Sequence, residues 1–184
     1  MSEKIMLDFP GFITRDSKTH HLLISNESVV LAANAVITEQ YRQLFDSLGY
    51  DKTAEVMHKS VKEGTYKIQQ SLIKTYRISL KDEADLNRQI ARFPLYIQTY
   101  GYGRGSTVME SEKFVFRVKD SFEAGSFRNS GLNKTVCFAL TGIFAGMAKA
   151  YAKLLDNPPR FTCVETKCMA KGDPYCEFEL TRNK

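Results

Sequence analysis

The sequence predicts an α+β fold: a single domain of about four helices packed on an antiparallel sheet, closed by a C-terminal zinc-binding hairpin. Three observations lead there. Apolar residues recur at three- and four-residue steps through the first half. Segments on either side of Gly103–Glu112 carry β-branched and aromatic residues, partly in strict alternation. Two further extended runs flank Lys171-Gly172-Asp173-Pro174 near the C-terminus, which reads as a hairpin turn. Runs of helices followed by neighbouring strands, without βαβ alternation, are the pattern of an α+β domain.

Taken in order, Gly11–Arg15, His20–Ser25 and Ser28–Ala32 are short extended candidates, separated by Asp16-Ser17 and by Asn26. Residues 1–28 are read as N-terminal strands or an extension, and 29–184 as the main domain. Asn34 is the expected N-cap of a first helix that buries Ile37, Tyr41, Leu44, Phe45 and Leu48 and ends at Gly49. A second helix from about Lys52 carries Ala54, Met57, Val61, Gly64, Ile68, Leu72 and Tyr76 on one stripe. A third starts near Asp82, carries Leu86, Ile90 and Phe93, and is expected to stop at Pro94. Leu95–Tyr102 reads as a strand, paired with one in which Phe114, Phe116 and Val118 alternate with Val115, Arg117 and Lys119. A long helix is expected over about Thr135–Leu155, ending before Asp156-Asn157-Pro158-Pro159, and Arg160–Lys167 and Tyr175–Thr181 form the final hairpin.

The 184 residues fit one core, which commonly serves ~100–200 residues. The apolar run Val136–Ala148 is shorter than the ~20 residues a membrane span requires, so it reads as a buried helix. No integral membrane segment or secretory signal is recognised, and a cytoplasmic location is expected. The net charge is +5 with a pI near 9.0, but the Lys and Arg residues are dispersed and form no nucleic-acid motif. A solvated surface explains them, and no nucleic-acid partner is expected.

Chemistry concentrates at the end of the chain. The four cysteines fall at 137, 163, 168 and 176. In a reducing compartment such clustering points to a metal or to catalysis before disulfides. Zinc takes three or four ligands from Cys, His and Asp/Glu in a tetrahedron. The hairpin brings Cys168 and Cys176 together, Glu165 lies three residues before Cys168, and Cys137 supplies a candidate fourth ligand that would clamp helix to hairpin. Cys163 shares a strand face with Glu165 and competes as a ligand, although a small buried hydrophobe is its simpler role. The alternatives are reduced core cysteines or a Cys168–Cys176 disulfide. A site of three cysteines and one glutamate would keep a net charge of about −2 with its metal, and Lys134, Lys167 and Lys171 stand near enough in sequence to offset it.

The arrangement Glu165…Cys168…Lys171-Gly172-Asp173…Cys176-Glu177-Phe178 resembles the C-terminal signature of the 4-vinyl reductase (4VR) domain family. Cys137, Gly142 and Gly146 are similar to its helix pattern, and Asp120-Ser121-Phe122-Glu123-Ala124 to its strand-end motif. Met57–Gly64 and Tyr100-Gly101-Tyr102-Gly103 extend the similarity, which covers roughly Val29 to Leu180. The resemblance implies an α+β fold related to trafficking-complex (TRAPP-like) subunits, often dimeric, and a sensor domain for small hydrophobic molecules. It places the zinc ligands of the family's aromatic-compound sensors on Cys137, Glu165, Cys168 and Cys176. Two departures stand out: a longer segment between Cys137 and Glu165, with Pro158-Pro159, and the absence of any Trp, which phenol-type sensors use.

Gly142 and Gly146 give the long helix a thin surface, which serves either close helix packing or room for a ligand. On the second reading Tyr96, Tyr100, Phe116, Phe122, Gly146 and Met147 line an apolar pocket. Gly101, Gly103 and Gly105 precede extended chain, which excludes a phosphate loop opening a helix. His58 borders a helix stripe and His20-His21 lie in a short strand, so neither forms a catalytic constellation. The leading expectation is a non-catalytic module that binds a small hydrophobic or aromatic ligand, holds a structural zinc, forms a homodimer and signals through a separate protein effector. The alternatives are a TRAPP-like scaffold, and a reductase or accessory protein of tetrapyrrole vinyl-group metabolism. A reductase needs a hydride or electron source, and no nicotinamide or flavin fingerprint is found.

Overall fold

The computed structural model describes residues 13–15, 22–24, 27–29, 34–110 and 113–183. The chain forms two compact units, Met1–Ala32 and Ala33–Lys184. In the first, β1 (Ile13–Arg15), β2 (Leu22–Ile24) and β3 (Glu27–Val29) make an antiparallel meander in which Leu23 pairs with Thr14 and with Ser28. The turns expected at Asp16-Ser17 and Asn26, and His20-His21, lie outside the described residues.

The second unit begins with α1 (Asn34–Leu48) and α2 (Tyr50–Thr75), separated by Gly49 at φ 76°. Next come α3 (Glu83–Ala91), capped by the Asp82 carboxylate, which accepts from Asp85 N–H, and α4 (Phe93–Thr99). Strands β4 (Arg104–Met109) and β5 (Lys113–Lys119) lead to the short α5 (Phe122–Phe127) and to α6 (Phe138–Ala152). The chain closes with β6 (Arg160–Lys167), a 3-10 turn at Met169–Lys171, and β7 (Cys176–Asn183). The sheet is antiparallel with order β4-β5-β7-β6.

Helix α6 lies between the sheet and α2, and this explains its composition. All of its residues except Ile143 and Lys149 are buried, as a helix covered on both sides requires. Toward the sheet, Phe144 stacks on Phe116 with ring centroids 4.4 Å apart and meets Phe178 at 5.3 Å. Toward α2, a Cβ on Gly142 would lie 2.9 Å from the Val61 side chain, and one on Gly146 2.5 Å from the Lys62 carbonyl oxygen. The small residues therefore let two backbones approach. A second aromatic group, formed by Tyr41, Phe45, Tyr50, Phe127 and Phe138, ties α1 to α5 and to the start of α6.

The α+β class and the sheet stand as expected, with six α-helices among the described residues where about four were expected. Leu95–Tyr102 is not a strand. Pro94 sits in the first turn of α4, where its missing N–H leaves nothing unpaired, and the helix buries Phe93 and Ile97 four residues apart. The partner of β5 is instead β4, lying within the segment expected to be a turn, with Thr107 opposite Phe116. Asp120–Ala124 is not simply a strand end: α5 starts inside it, and the Ser121 hydroxyl accepts from Ala124 N–H at the N-cap.

Candidate metal centre

Four side chains from three places in the second unit converge beside the N-terminus of α6. Cys137 is the residue immediately before that helix, Glu165 lies on β6, Cys168 precedes the 3-10 turn, and Cys176 opens β7. One ligand atom from each of the four lies within 4.8 Å of the others. The Cys137 and Cys176 sulfurs are 3.5 Å apart. Two thiolates bound at ~2.3 Å in a tetrahedron stand about 3.8 Å apart, so the spacing is close to that of ligands to one ion.

Local structure builds each position. Cys163 and Glu165 alternate toward the interior of β6, opposite the buried Leu180 and Phe178 of β7. A bulge follows between Glu165 and Lys167, ending the regular ladder where the cluster begins. The Asp173 carboxylate accepts from Cys168 N–H at 2.8 Å, and Lys171 N–H donates to the Cys168 carbonyl at 2.9 Å. Gly172, at φ 94°, makes the reversal that returns the chain to Cys176.

The electrostatics show a group of acids with too few donors. Glu165 Oε2 accepts from Cys137 N–H at 3.0 Å, whereas its Oε1 is buried without a hydrogen-bond partner. Burial, and then the neighbouring Cys168, push the Glu165 carboxyl up to about 9. Burial also raises the Cys137 thiol, while hydrogen bonds with Cys137 and Cys168 pull Cys176 down to about 5. Met169 N–H donates to the Cys176 sulfur at 3.4 Å. An unpaired carboxylate oxygen facing three thiols is the donor set of a thiophilic cation such as zinc. Cys163 is 5% exposed and lies outside the four-residue group, its thiol pushed up by burial. Two of the lysines expected to offset the charge are engaged elsewhere: Lys134 lies over the Tyr50 ring and Lys167 pairs with Glu177.

The sequence reading passed over Glu123. This carboxylate is 2% exposed and accepts three hydrogen bonds, from Tyr41 O–H at 2.6 Å, Ala139 N–H at 2.9 Å and Leu140 N–H at 3.0 Å. It thereby caps α6, whose N-cap residue Cys137 makes no side-chain cap. Burial nevertheless raises it to about 7, against those three bonds. An acidic residue two positions after a capping Ser was the available signal.

The six residues read as pocket walls do not all meet. Phe116 and Met147 lie in the core. Gly146 faces α2, where close packing, one of the two roles open from the sequence, accounts for it. Phe122 meets Tyr102 edge-on at 4.9 Å. Tyr96 packs on the core beside Tyr151, and Tyr100 is 37% exposed. No helix among the described residues is long and apolar enough to cross a membrane.

The fold recurs in solved structures. The phenol-responsive sensory domain of the transcription activator PoxR superposes with a TM-score of 0.75 at 18% identity, covering 93% of this chain and 85% of that one. An H-NOX protein from S. oneidensis in the Fe(II) ligation state matches at a TM-score of 0.52 and 11% identity, over 86% and 77% of the two chains. Trafficking protein particle complex subunit 3 from Naegleria fowleri, covalently bound to palmitic acid, matches at 0.49 and 12% identity, over 82% and 95%. No curated protein matches the sequence. Residues 114–182, which run from β5 through the hairpin part of the cluster and include Cys137, match the 4-vinyl reductase (4VR) domain family. The chain carries a domain of this family, as its hairpin signature led us to expect.

Proposed function

We propose that this protein is a non-catalytic sensor of a small hydrophobic or aromatic molecule, with one structural zinc held by Cys137, Glu165, Cys168 and Cys176. The observation that carries the reading is the convergence of those four side chains with Glu165 Oε1 left unpaired. Four protein ligands leave no open position for a substrate, so the ion fastens α6 to the hairpin and performs no chemistry. The sensory role draws on the fold shared with the phenol-responsive domain. The ligand lies by the aromatic stretch of Tyr96, Tyr100 and Phe122, backed by Phe116 and Met147. The signal leaves through a homodimer to a separate protein effector in the cytoplasm. Exposed Val36, Leu48 and Val56 on α1 and α2 provide apolar surface for the second copy.

Native mass spectrometry of untreated protein tests this reading, because it reports metal, small molecule and oligomer together. We expect a dimer with one zinc and one small apolar molecule per chain, and saturable binding of phenol or a larger aromatic probe to ligand-stripped protein. A zinc-loaded protein that neither retains nor binds any such molecule contradicts the sensory role.

A further inference from the structure

The positive charge that is scattered along the sequence gathers at one groove. Lys62 on α2, Lys149 near the end of α6, Lys153 just beyond it and Arg160 at the start of β6 line a common concavity of about 510 Å³. Its remaining wall includes the apolar Pro158-Pro159 turn and Phe161. Lys149 is already committed, since its Nζ donates to both Glu63 carboxylate oxygens at 2.8 and 2.9 Å. Lys62, Lys153 and Arg160 have no carboxylate partner among the described residues. Lys149 and Lys153 also complement the carbonyl end of α6, but that role does not extend to Lys62, in the middle of α2, or to Arg160, on a strand. Like charges around a concave, partly apolar site reinforce one another's potential and attract an anion. The volume falls in the ~300–1,000 Å³ range of small-molecule sites.

We propose that this groove binds a small organic anion. Its carboxylate or phosphate is held by Lys62, Lys153 and Arg160, and its apolar body lies on the Pro158-Pro159 turn and Phe161. The groove shares no residue with the metal cluster or with the aromatic stretch assigned to the sensed ligand, so a failure here leaves that reading standing. Lys153 and Arg160 are exposed, which makes charge reversal tolerable for folding.

The test uses the full zinc-loaded chain, with 2-naphthoate as probe and 2-naphthol as its uncharged counterpart, in calorimetric titrations at low and high salt. We expect naphthoate to bind one per chain and to weaken with salt. Combining Lys153→Glu with Arg160→Glu should lower its affinity roughly tenfold or more, leaving zinc content, melting temperature and naphthol binding unchanged. Arg160→Lys should restore much of a loss caused by Arg160→Glu alone. Naphthoate binding that is equal in wild type and the double variant would place the anion elsewhere and overturn the proposal. So would a wild-type protein that shows no saturable, salt-sensitive naphthoate binding.

Discussion

Glu123 shows how one side chain can set a pH dependence. Its carboxyl rests at about 7 in the fold, above the ordinary 4.5, because burial outweighs the bonds from Tyr41, Ala139 and Leu140. Between those pH values the folded protein keeps a proton that the unfolded chain releases. Its contribution to stability is complete below about pH 4.5 and declines as pH rises to about 7. At ~1.4 kcal/mol per pKa unit the decline is on the order of 3 kcal/mol. Glu123→Gln cannot titrate and should carry only a pH-independent offset from its altered bonds. Urea unfolding at several pH values should therefore show wild type losing stability relative to the variant as pH rises through this window. A constant difference would mean the carboxyl is ionised throughout.

Cysteine roles are also decided at this scale. Cys163→Ser should keep its metal and lose only modest stability, since that thiol packs against the core outside the cluster. Cys168→Ser should lose metal and melt much lower, because a structural ion's binding energy is folding energy. Melting curves with zinc content measured in parallel separate the two. Equal zinc loss in both variants would show that Cys163 is a ligand.

Among the elements, α6 joins the core to the site. It is gripped by α2 on one side and by the sheet on the other, and its N-terminus meets both Glu123 and the cysteine cluster. A side chain at Gly146 has no space, because even a Cβ would meet the Lys62 carbonyl oxygen at 2.5 Å. Gly146→Leu should cost at least the ~1–3 kcal/mol typical of overpacking, read as a lower urea midpoint at unchanged slope. Wild-type stability in that variant would mean that α2 yields easily.

This helix was legible from Val136–Ala148 because a helix covered on two sides must be apolar all round. Helices α4 and α5 were not legible, for different reasons. Aromatic and β-branched residues in Leu95–Tyr102 carry a strand signal, yet Pro94 at a first turn and burial of Phe93 and Ile97 favour a helix. At six residues, α5 is too short for a period to show, and only its Ser121 cap marks it. The four cluster residues were legible because zinc ligation leaves a residue-type and spacing pattern in the sequence. The Glu123 cap and the basic groove join residues far apart in the chain, such as Tyr41 with Glu123 and Lys62 with Arg160, and such pairs leave no pattern to read.

For the molecule as a whole, the account makes the metal centre the fastener between the helical layer and the terminal hairpin. Removing the ion leaves buried acids packed together, with Glu165 and Cys137 both pushed up by burial. Chelation should therefore lower the melting temperature, and added zinc should restore it. The most direct measurement is zinc stoichiometry in protein purified without chelator, determined by elemental analysis for wild type, Cys176→Ser and Cys163→Ser. The account requires one zinc per chain in wild type and in Cys163→Ser, and its loss from Cys176→Ser. Wild-type protein without metal, or undiminished zinc in Cys176→Ser, would contradict it.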